Sequence, residues 1–469
     1  MYGLRISPKA WGEERDRRLR KVTWTCNGTT YGLRQCCNDT QVWRIVALNE
    51  GVEKTGPTIG LMVAYVDDFL LLLPAGPVRD GLVGALRKLW TMSTEQTLKL
   101  GEPFTFLGLE FEKRKNGDVY LHQRTWVKAL LQSYGFDDAS KGSGAVTIES
   151  PPAVEAPPDA ELLLKLQKYG GEFNWLATRT RPDLAYFASV IMSQCTRHGE
   201  WVHQLCRKVL RYLLATRWQG ILVKTRSTSE TAHSPSRLTI WTDAGYGGEG
   251  TKAQTGVFIS WDSAVVCARS SRQHKAALST CEAEVAASAT GFTLGEALQL
   301  LITEWDVELA PPYLLIDNKS ALDICHGKGT WKTKYFAIRA ARIAQEFSLG
   351  NVVIRYCQTA LMLADGLTKF AASNVMMKMR DGLDGNTGDV DAETVKLNVV
   401  DDTWWANSIR CYRAIVARAN EPELTWTSSN STWVLSSEDM KLKWLESLSA
   451  AELLTIAQKK LSTPTSTTK

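Results

Sequence analysis

The 469-residue sequence has little that would indicate a disulfide scaffold, a membrane span or a nucleotide loop. Its ten cysteines are thinly spread, with Cys36 and Cys37 adjacent and no C-x2-C spacing anywhere. That excludes a disulfide framework and a zinc ribbon or finger, and suits a reducing compartment. No basic-then-apolar leader pattern opens the chain. The longest apolar run, 60–74, is interrupted by Asp67 and Asp68 and is too short to cross a bilayer. We therefore expect a soluble protein of the cytoplasm or nucleus with no membrane partner. Gly245-Tyr246-Gly247-Gly248 follows a strand pattern, but no Lys-Ser/Thr pair or helix completes a phosphate loop. Six scattered histidines form no Ser-His-acid or Cys-His arrangement, and neither a heptad nor an internal repeat is present.

What is present is ordinary globular composition, 44% hydrophobic and 22% charged, in a chain long enough for about three domains of roughly 150 residues. The net charge of +5 identifies no partner. Its distribution says more: residues 161–240 carry twelve basic and five acidic side chains, a net of +7, whereas 371–469 carry eleven and thirteen, a net of −2. A basic middle suits a polyanion, although solvated surface produces the same count.

Pattern reading places an exposed, ion-rich helix at 13–21, two buried strands over 58–73 joined by a turn bearing Asp67 and Asp68, and a helix at 78–89. A strand pair follows at 104–112 and 119–123, turned at Asn116-Gly117, then a helix at 125–134. The Pro-Pro pairs and small residues of 137–160 read as a linker, 161–215 as helical, and 227–236 as a second linker. From 237 to 370, strands end on Asp243 and Asp317, a hairpin turns at Asp262-Ser263, a long helix begins near Thr280, and a short helix carries Asp365. Strands alternating with helices indicate a mixed α/β layer.

Two carboxylate sets stand out. Paired acids on a rigid hairpin tip, Asp67 and Asp68, can hold Mg²⁺ against a phosphate, though Asp is also common in exposed loops. Asp243, Glu284, Asp317 and Asp365 lie at strand ends and helix starts, which converge on one edge of an α/β layer; four acids there repel one another unless cations lie between them. Glu282 points about 200° away from Glu284 on a helix, so one of the two faces the site. Arg207, Lys208, Arg211 and Arg217, interleaved with Trp201, Tyr212 and Trp218, form a candidate nucleic-acid surface. Cys195, His198, His203 and Cys206 offer zinc-type ligands, but their C-x2-H-x4-H-x2-C spacing matches no zinc pattern and they read as helix packing.

In order, Tyr2-Gly3-Leu4-Arg5, Ser7-Pro8-Lys9-Ala10-Trp11, Tyr65-Val66-Asp67-Asp68, Phe106-Leu107-Gly108-Leu109-Glu110, Thr180-Arg181-Pro182-Asp183-Leu184-Ala185-Tyr186 and Val209-Leu210-Arg211-Tyr212-Leu213 resemble the reverse transcriptase of copia-type (Ty1/copia) retrotransposon polyproteins. Thr242-Asp243-Ala244, Leu278-Ser279-Thr280-Cys281-Glu282-Ala283-Glu284, Asp317-Asn318-Lys319-Ser320-Ala321-Leu322 and Leu363-Ala364-Asp365-Gly366-Leu367-Thr368-Lys369 resemble the ribonuclease H that follows it. The resemblance covers about residues 2–370. It implies an α/β (α+β) protein: a truncated reverse transcriptase palm and thumb (1–136), the linker (137–160), a basic helical connection (161–236), a ribonuclease H-like mixed-sheet α/β domain (237–370) and an unassigned, partly disordered tail (371–469).

It further implies that Asp67 and Asp68 are polymerase metal ligands and that Asp243, Glu284, Asp317 and Asp365 hold two Mg²⁺, or Mn²⁺, to hydrolyse the RNA strand of an RNA:DNA hybrid. The family's third polymerase aspartate lies upstream of the Tyr-Gly-Leu segment and is absent here, so we expect no polymerase activity from this chain alone. Tyr335 and Ala337 stand where the family has His and Asp, and Phe370 where it has Pro. The competing expectation is a non-catalytic protein that binds nucleic acid or a protein partner.

Overall fold

The structure, a computed structural model, describes residues 6–49, 52–53, 57–136, 141–153, 155–225, 235–247, 252–331 and 333–387. They belong to one compact unit, Met1–Val400; a second unit, Asp401–Lys469, lies outside the described residues, as do the polar stretch 226–234 and the expected amphipathic helix and Ser/Thr end of the tail.

Helix α1 (Ser7–Leu19) begins with Pro8 in its first turn, where a missing N–H costs nothing. It is not wholly exposed as its charge suggests: Arg15 and Leu19 are buried. Strands β1 (Thr23–Cys26), β2 (Thr29–Gln35), β3 (Val42–Asn49), β4 (Val52–Glu53), β5 (Gly60–Tyr65) and β6 (Asp68–Leu72) form an antiparallel sheet in the order β1-β2-β3-β5-β6, with β4 paired to β3. Leu33, Trp43, Ile45 and Met62 from this sheet pack with Leu19 and with Leu82 and Leu86 of α2 (Pro77–Leu89). The sequence signal over residues 1–50 is weak; β3 is held between β2 and β5, and β1 is held by β2.

A second antiparallel sheet, β10-β9-β8-β7, consists of β7 (Phe104–Phe106), β8 (Leu109–Lys113), β9 (Val119–His122) and β10 (Ile221–Val223). The strand expected over 104–112 is in fact two, because Leu107 (φ 52°) and Gly108 (φ 76°) take left-handed backbone and reverse the chain. Helix α3 (Arg124–Ser133) then leads to α4 (Ala160–Ala177), α5 (Ala185–Gln194) and α6 (Gly199–Ala215), whose Leu166, Phe173, Phe187, Ile191, Leu205 and Leu210 share one core.

The described part of 137–160 is not a free linker. Val146 is fully buried in that core, Trp201 Nε1 donates to the Glu149 carbonyl at 2.8 Å, and Lys208 Nζ to the Thr147 carbonyl at 2.6 Å. Proline prevents a helix there but not an extended segment fixed by side chains of α6. The turn between α4 and α5 is held by a buried fork: Arg181 donates twice to Asp183, at 2.9 and 2.7 Å, and Tyr212 Oη donates to the same carboxylate at 2.6 Å.

The third sheet, β13-β12-β11-β14-β15, contains β11 (Ser236–Gly245), β12 (Gln254–Trp261), β13 (Ala264–Arg272), β14 (Leu309–Ile316) and β15 (Val353–Tyr356). Its first pairs are antiparallel; β11 to β14 and β14 to β15 are parallel. Period-two alternation divides its side chains between two cores. Ile240, Val257, Ile259 and Ile316 face α7 (Thr280–Glu304), α8 (Lys319–Cys325) and α9 (Lys334–Ser348), while Trp241, Phe258 and Leu315 face Leu363, Leu367 and α10 (Ser373–Leu383). Thus the chain is a mixed α/β protein. Helix α10 falls in the stretch expected to be an unassigned tail, yet its Met376, Met379 and Leu383 are fully buried. Among the described residues α7 alone is long and apolar enough to cross a membrane by length and composition, and here Val285, Phe292 and Ile302 place it in a core.

Candidate metal centre

The parallel pairing of β11 with β14 aligns Thr242 with Ile316, so the next residues, Asp243 and Asp317, emerge side by side. Asp243 also pairs with Gly256 on β12. Helix α7 lies close against β11 because Gly291 and Gly295 have no side chains; a Cβ at either would overlap Thr242 or Ile240. Ser279 starts that helix, accepting from Glu282 N at 3.1 Å, while the Glu282 carboxylate reaches back to Leu278 N at 2.9 Å. Glu282 is therefore engaged at the helix start, and Glu284 is the acid delivered to Asp243.

Asp365 sits on the 3-10 turn Leu363–Leu367. That turn settles on the sheet because Gly256 leaves room: a Cβ there would stand 2.6 Å from Thr368 Cγ2 and 2.9 Å from the Ala364 carbonyl oxygen.

Asp243, Glu284 and Asp317 each offer a carboxylate oxygen, all within 4.8 Å of one another. Asp365 lies outside that group; its Oδ1 accepts from Lys369 Nζ at 2.9 Å. Three donors orient the set: the Thr368 hydroxyl to Asp243 Oδ2, Thr359 Oγ1 to Asp317 Oδ2 at 3.3 Å, and Ala244 N to Glu284 Oε1 at 3.3 Å. Glu284 Oε2 is buried without a hydrogen-bond partner.

Crowding shows in the acidities. Burial first, then the Asp243 and Asp317 charges, lifts Glu284 to about 9. Burial, with Asp365 and Asp317 beside it, lifts Asp243 to about 6 against the pull of the Thr368 hydroxyl. Asp317 is raised too, by burial and by Asp365. Burial works against the Lys369 ammonium, yet its bond to Asp365 and the neighbouring acids hold it above its ordinary value. Converging hard oxygens, one of them buried and unpaired, fit a divalent cation.

The other expected residues are placed differently. Tyr65 pairs with Asp68, so the turn proper is Val66-Asp67, with Val66 at φ 51°, and Asp68 already belongs to β6. Both acids are exposed, and among the described residues neither joins a metal-holding group. The Val66 carbonyl anchors this tip, accepting from Trp11 Nε1 at 2.9 Å and Arg15 Nη1 at 3.2 Å.

Of the basic set, Arg207 is exposed with its guanidinium 4.9 Å from the Phe136 ring centroid, Arg211 is exposed, and Arg217 lies 5.3 Å from the Trp218 ring. Lys208 is turned to the Thr147 carbonyl. Trp201 and Tyr212 are buried core residues, so only Trp218 of the three interleaved aromatics is surface. Cys195 and Cys206 are packed in the helical core, and the C-x2-H-x4-H-x2-C quartet forms no metal-holding group among the described residues. Thr359, Thr368 and Lys369 carry no role in the sequence reading, although the last two close the quoted Asp365 motif, which was the available signal.

No protein-family model matches the chain. The transposon Ty5-1 protein of Saccharomyces cerevisiae is 28% identical over 250 residues, covering 53% of this chain and 71% of that protein. A truncated Ty1-A Gag-Pol polyprotein from the same organism is 22% identical over 386 residues, 79% of this chain. This chain is homologous to Ty1/copia-type retrotransposon Pol polyproteins. The retrovirus-related Pol polyprotein from transposon RE1 of Arabidopsis thaliana matches this Pol homologue at 25% identity over 376 residues. The match spans 30% of the Ty1-A polyprotein and 23% of the RE1 polyprotein. Among solved structures, the N-terminal RNase H domain of Mycobacterium tuberculosis rv2228c, a fusion with maltose-binding protein, aligns at a TM-score of 0.22 and 17% identity, covering 31% of this chain and 96% of that one.

Proposed function

We propose that this Pol homologue is a divalent-metal-dependent ribonuclease H that cleaves the RNA strand of RNA:DNA hybrids. The observation that carries the reading is the convergence of Asp243, Glu284 and Asp317 at the ends of β11 and β14 and the start of α7, with one Glu284 oxygen buried and unpaired. Homology to Pol polyproteins supports it, because the four acids fall in the motifs that resemble the family's ribonuclease H.

Asp243, Glu284 and Asp317 would hold the ion, Mg²⁺ or Mn²⁺, with Asp365 beside them. A bound ion of this class supplies Lewis acidity toward a phosphate oxygen and makes a water nucleophilic at neutral pH. The chain's own part is preorganisation: Thr368, Thr359 and Ala244 N each fix one carboxylate through a hydrogen bond, so little reorientation remains when substrate arrives. Arg207, Arg211 and Arg217 would contribute phosphate contacts, whose mark is a steep fall in affinity with salt. In this reading the β5–β6 hairpin belongs to a reverse transcriptase palm, and its two exposed acids act in polymerisation only with a further carboxylate.

The test is cleavage of an end-labelled RNA:DNA hybrid by the purified chain in millimolar Mg²⁺. Cleavage that Asp243→Asn abolishes and Glu282→Gln retains supports the proposal. Intact hybrid with folded protein at high enzyme concentration overturns it, and salt-sensitive binding without cleavage would then identify a non-catalytic binder.

A further inference from the structure

We propose that the C-terminal end of α7 is a docking latch for the N-terminal sheet of this same chain. Glu304 and Asp306 grip that sheet and hold its β5–β6 hairpin and the candidate metal centre in one frame. The inference concerns how the parts of the chain are joined and does not depend on the nuclease reading.

The end of α7 breaks the local rules of a helix terminus. Carbonyl oxygens give a helix C-terminus a partial negative charge, which favours basic side chains there. The last turn of α7 has none, and the helix runs out through Glu304, Trp305 and Asp306 instead. Asp306 follows the C-cap, Trp305, and has φ 61°, the left-handed conformation in which glycine, or sometimes asparagine, closes many helices. Two acids against the helix dipole, one of them in unfavourable backbone, weaken α7 taken alone. Such departures persist where the surrounding structure compensates them.

Here the compensation comes from residues 248 to 267 positions earlier in the chain. Glu304 spreads its two oxygens over consecutive backbone donors in the bend after β2, Cys37 N at 2.7 Å and Asn38 N at 3.0 Å. Asp306 Oδ2 accepts from Thr58 N at 2.9 Å, Thr58 Oγ1 at 2.7 Å and Arg44 Nη2 at 2.5 Å. Arg44 Nε closes the set by donating to Thr58 Oγ1 at 2.9 Å. Hydrogen bonds to a charged acceptor are the stronger class, and both carboxylates are used in this way. The Glu304 charge also reaches Cys36, whose thiol is pushed up to about 11 by burial first and by that charge next. Three pieces of the sheet are held together: the bend after β2, β3 through Arg44, and the residues entering β5.

About 30 Å of helix, at 1.5 Å per residue, separates Glu304 from Glu284, so the latch is no part of the metal centre. It ties the far end of the helix that delivers Glu284 to the sheet whose β5–β6 turn carries Asp67. A nucleic acid that reaches both the hairpin and the centre therefore meets a preset spacing.

The experiment is backbone hydrogen–deuterium exchange of the full 469-residue chain, wild type against Glu304→Ala/Asp306→Gly, with circular dichroism melts to establish folding. Both substitutions favour α7 locally: alanine removes an acid from its negative end, and glycine adopts φ 61° without strain. Lost protection on the N-terminal sheet then reports undocking, not damage to the helix. The expected result is exchange about tenfold or more faster at Cys37, Asn38 and Thr58 in the variant, while amides paired between β2 and β3 exchange as in the wild type. Equal protection of those three amides in the folded variant and the wild type overturns the inference. Should the double variant not fold, the wild type decides. Cys37 and Asn38 are exposed and give their N–H groups to Glu304, so protection there supports the latch and exchange at the unprotected rate refutes it.

Discussion

Without a bound metal ion this protein should become less stable as the pH rises, and Asp243→Asn should cancel part of that loss. Folding lifts Asp243 from 3.8 to about 6 and Glu284 from 4.5 to about 9, because both are buried beside other acids. Between these values the folded chain keeps protons that the unfolded chain has released. By linkage, stability is then fully present below the unfolded values and is lost as pH climbs through the folded ones. For Asp243 the difference amounts to about 3 kcal/mol, at about 1.4 kcal/mol per pH unit, completed by roughly pH 7. Glu284 adds further loss in the same direction up to about pH 9. Asparagine keeps the shape and can still accept from the Thr368 hydroxyl, but cannot ionise. In EDTA, therefore, Asp243→Asn and wild type should melt together near pH 4, and the variant should melt several degrees higher near pH 8. Added Mg²⁺ should raise the wild-type melting temperature near pH 8 far more than near pH 5, and the variant's hardly at all. Thermal denaturation followed by circular dichroism reads each quantity. A wild-type melting temperature that stays level from pH 4 to pH 8 without metal, or a variant that melts lower than wild type near pH 8, would refute the reasoning.

Gly256→Ala places a Cβ 2.6 Å from Thr368 Cγ2 and 2.9 Å from the Ala364 oxygen, so it should cost about 1–3 kcal/mol and slow hybrid cleavage by displacing the Asp365 turn. Gly171→Ala, whose Cβ would meet nothing within 4 Å on α4, should instead be neutral or stabilising; urea denaturation of both variants reads the difference. Arg181→Met leaves the Asp183 carboxylate buried without its fork and should cost about 3–5 kcal/mol; a loss below about 1 kcal/mol in urea denaturation would show the pair to be dispensable. Primer extension on an RNA template should show no nucleotide incorporation by this chain with Mg²⁺ or Mn²⁺, since among the described residues Asp67 and Asp68 gather no third ligand; measurable incorporation would disprove it.

Much of the third sheet is legible in the sequence because its signals are local. Leu238 and Ile240 recur at period two, Asp262 with φ 52° makes the tight turn between β12 and β13, and Ser279 with Glu282 marks the start of α7. What escapes is whatever depends on distant partners. Strands β1 to β3 are stabilised by a core that includes Met62, Leu82 and Leu86. Val146 lies in a proline-flanked stretch that reads as a linker until α6 supplies bonds to Glu149 and Thr147. The basic helix carried a usable signal in the other direction: Trp201, Leu205, Val209 and Tyr212 recur at helical spacing and are all buried, so two of the aromatics assigned to a nucleic-acid surface shared the apolar stripe instead.

The candidate site divides along the same line. An acid at a strand end is visible because each occupies a short ordered motif, and the parallel register of Thr242 with Ile316 does the rest. Which acids crowd together is not visible, because that depends on how near the Leu363–Leu367 turn comes to β11. Gly256 sets that approach by lacking a side chain, and Thr368 fixes its direction by bonding to Asp243 across 125 residues of chain. Lys369 rides on the same turn, so the geometry that brings Asp365 to the centre also brings the charge that partners it. Four acids in sequence therefore do not become four equivalent carboxylates: three converge around an unpaired oxygen, and the fourth arrives bonded to a lysine.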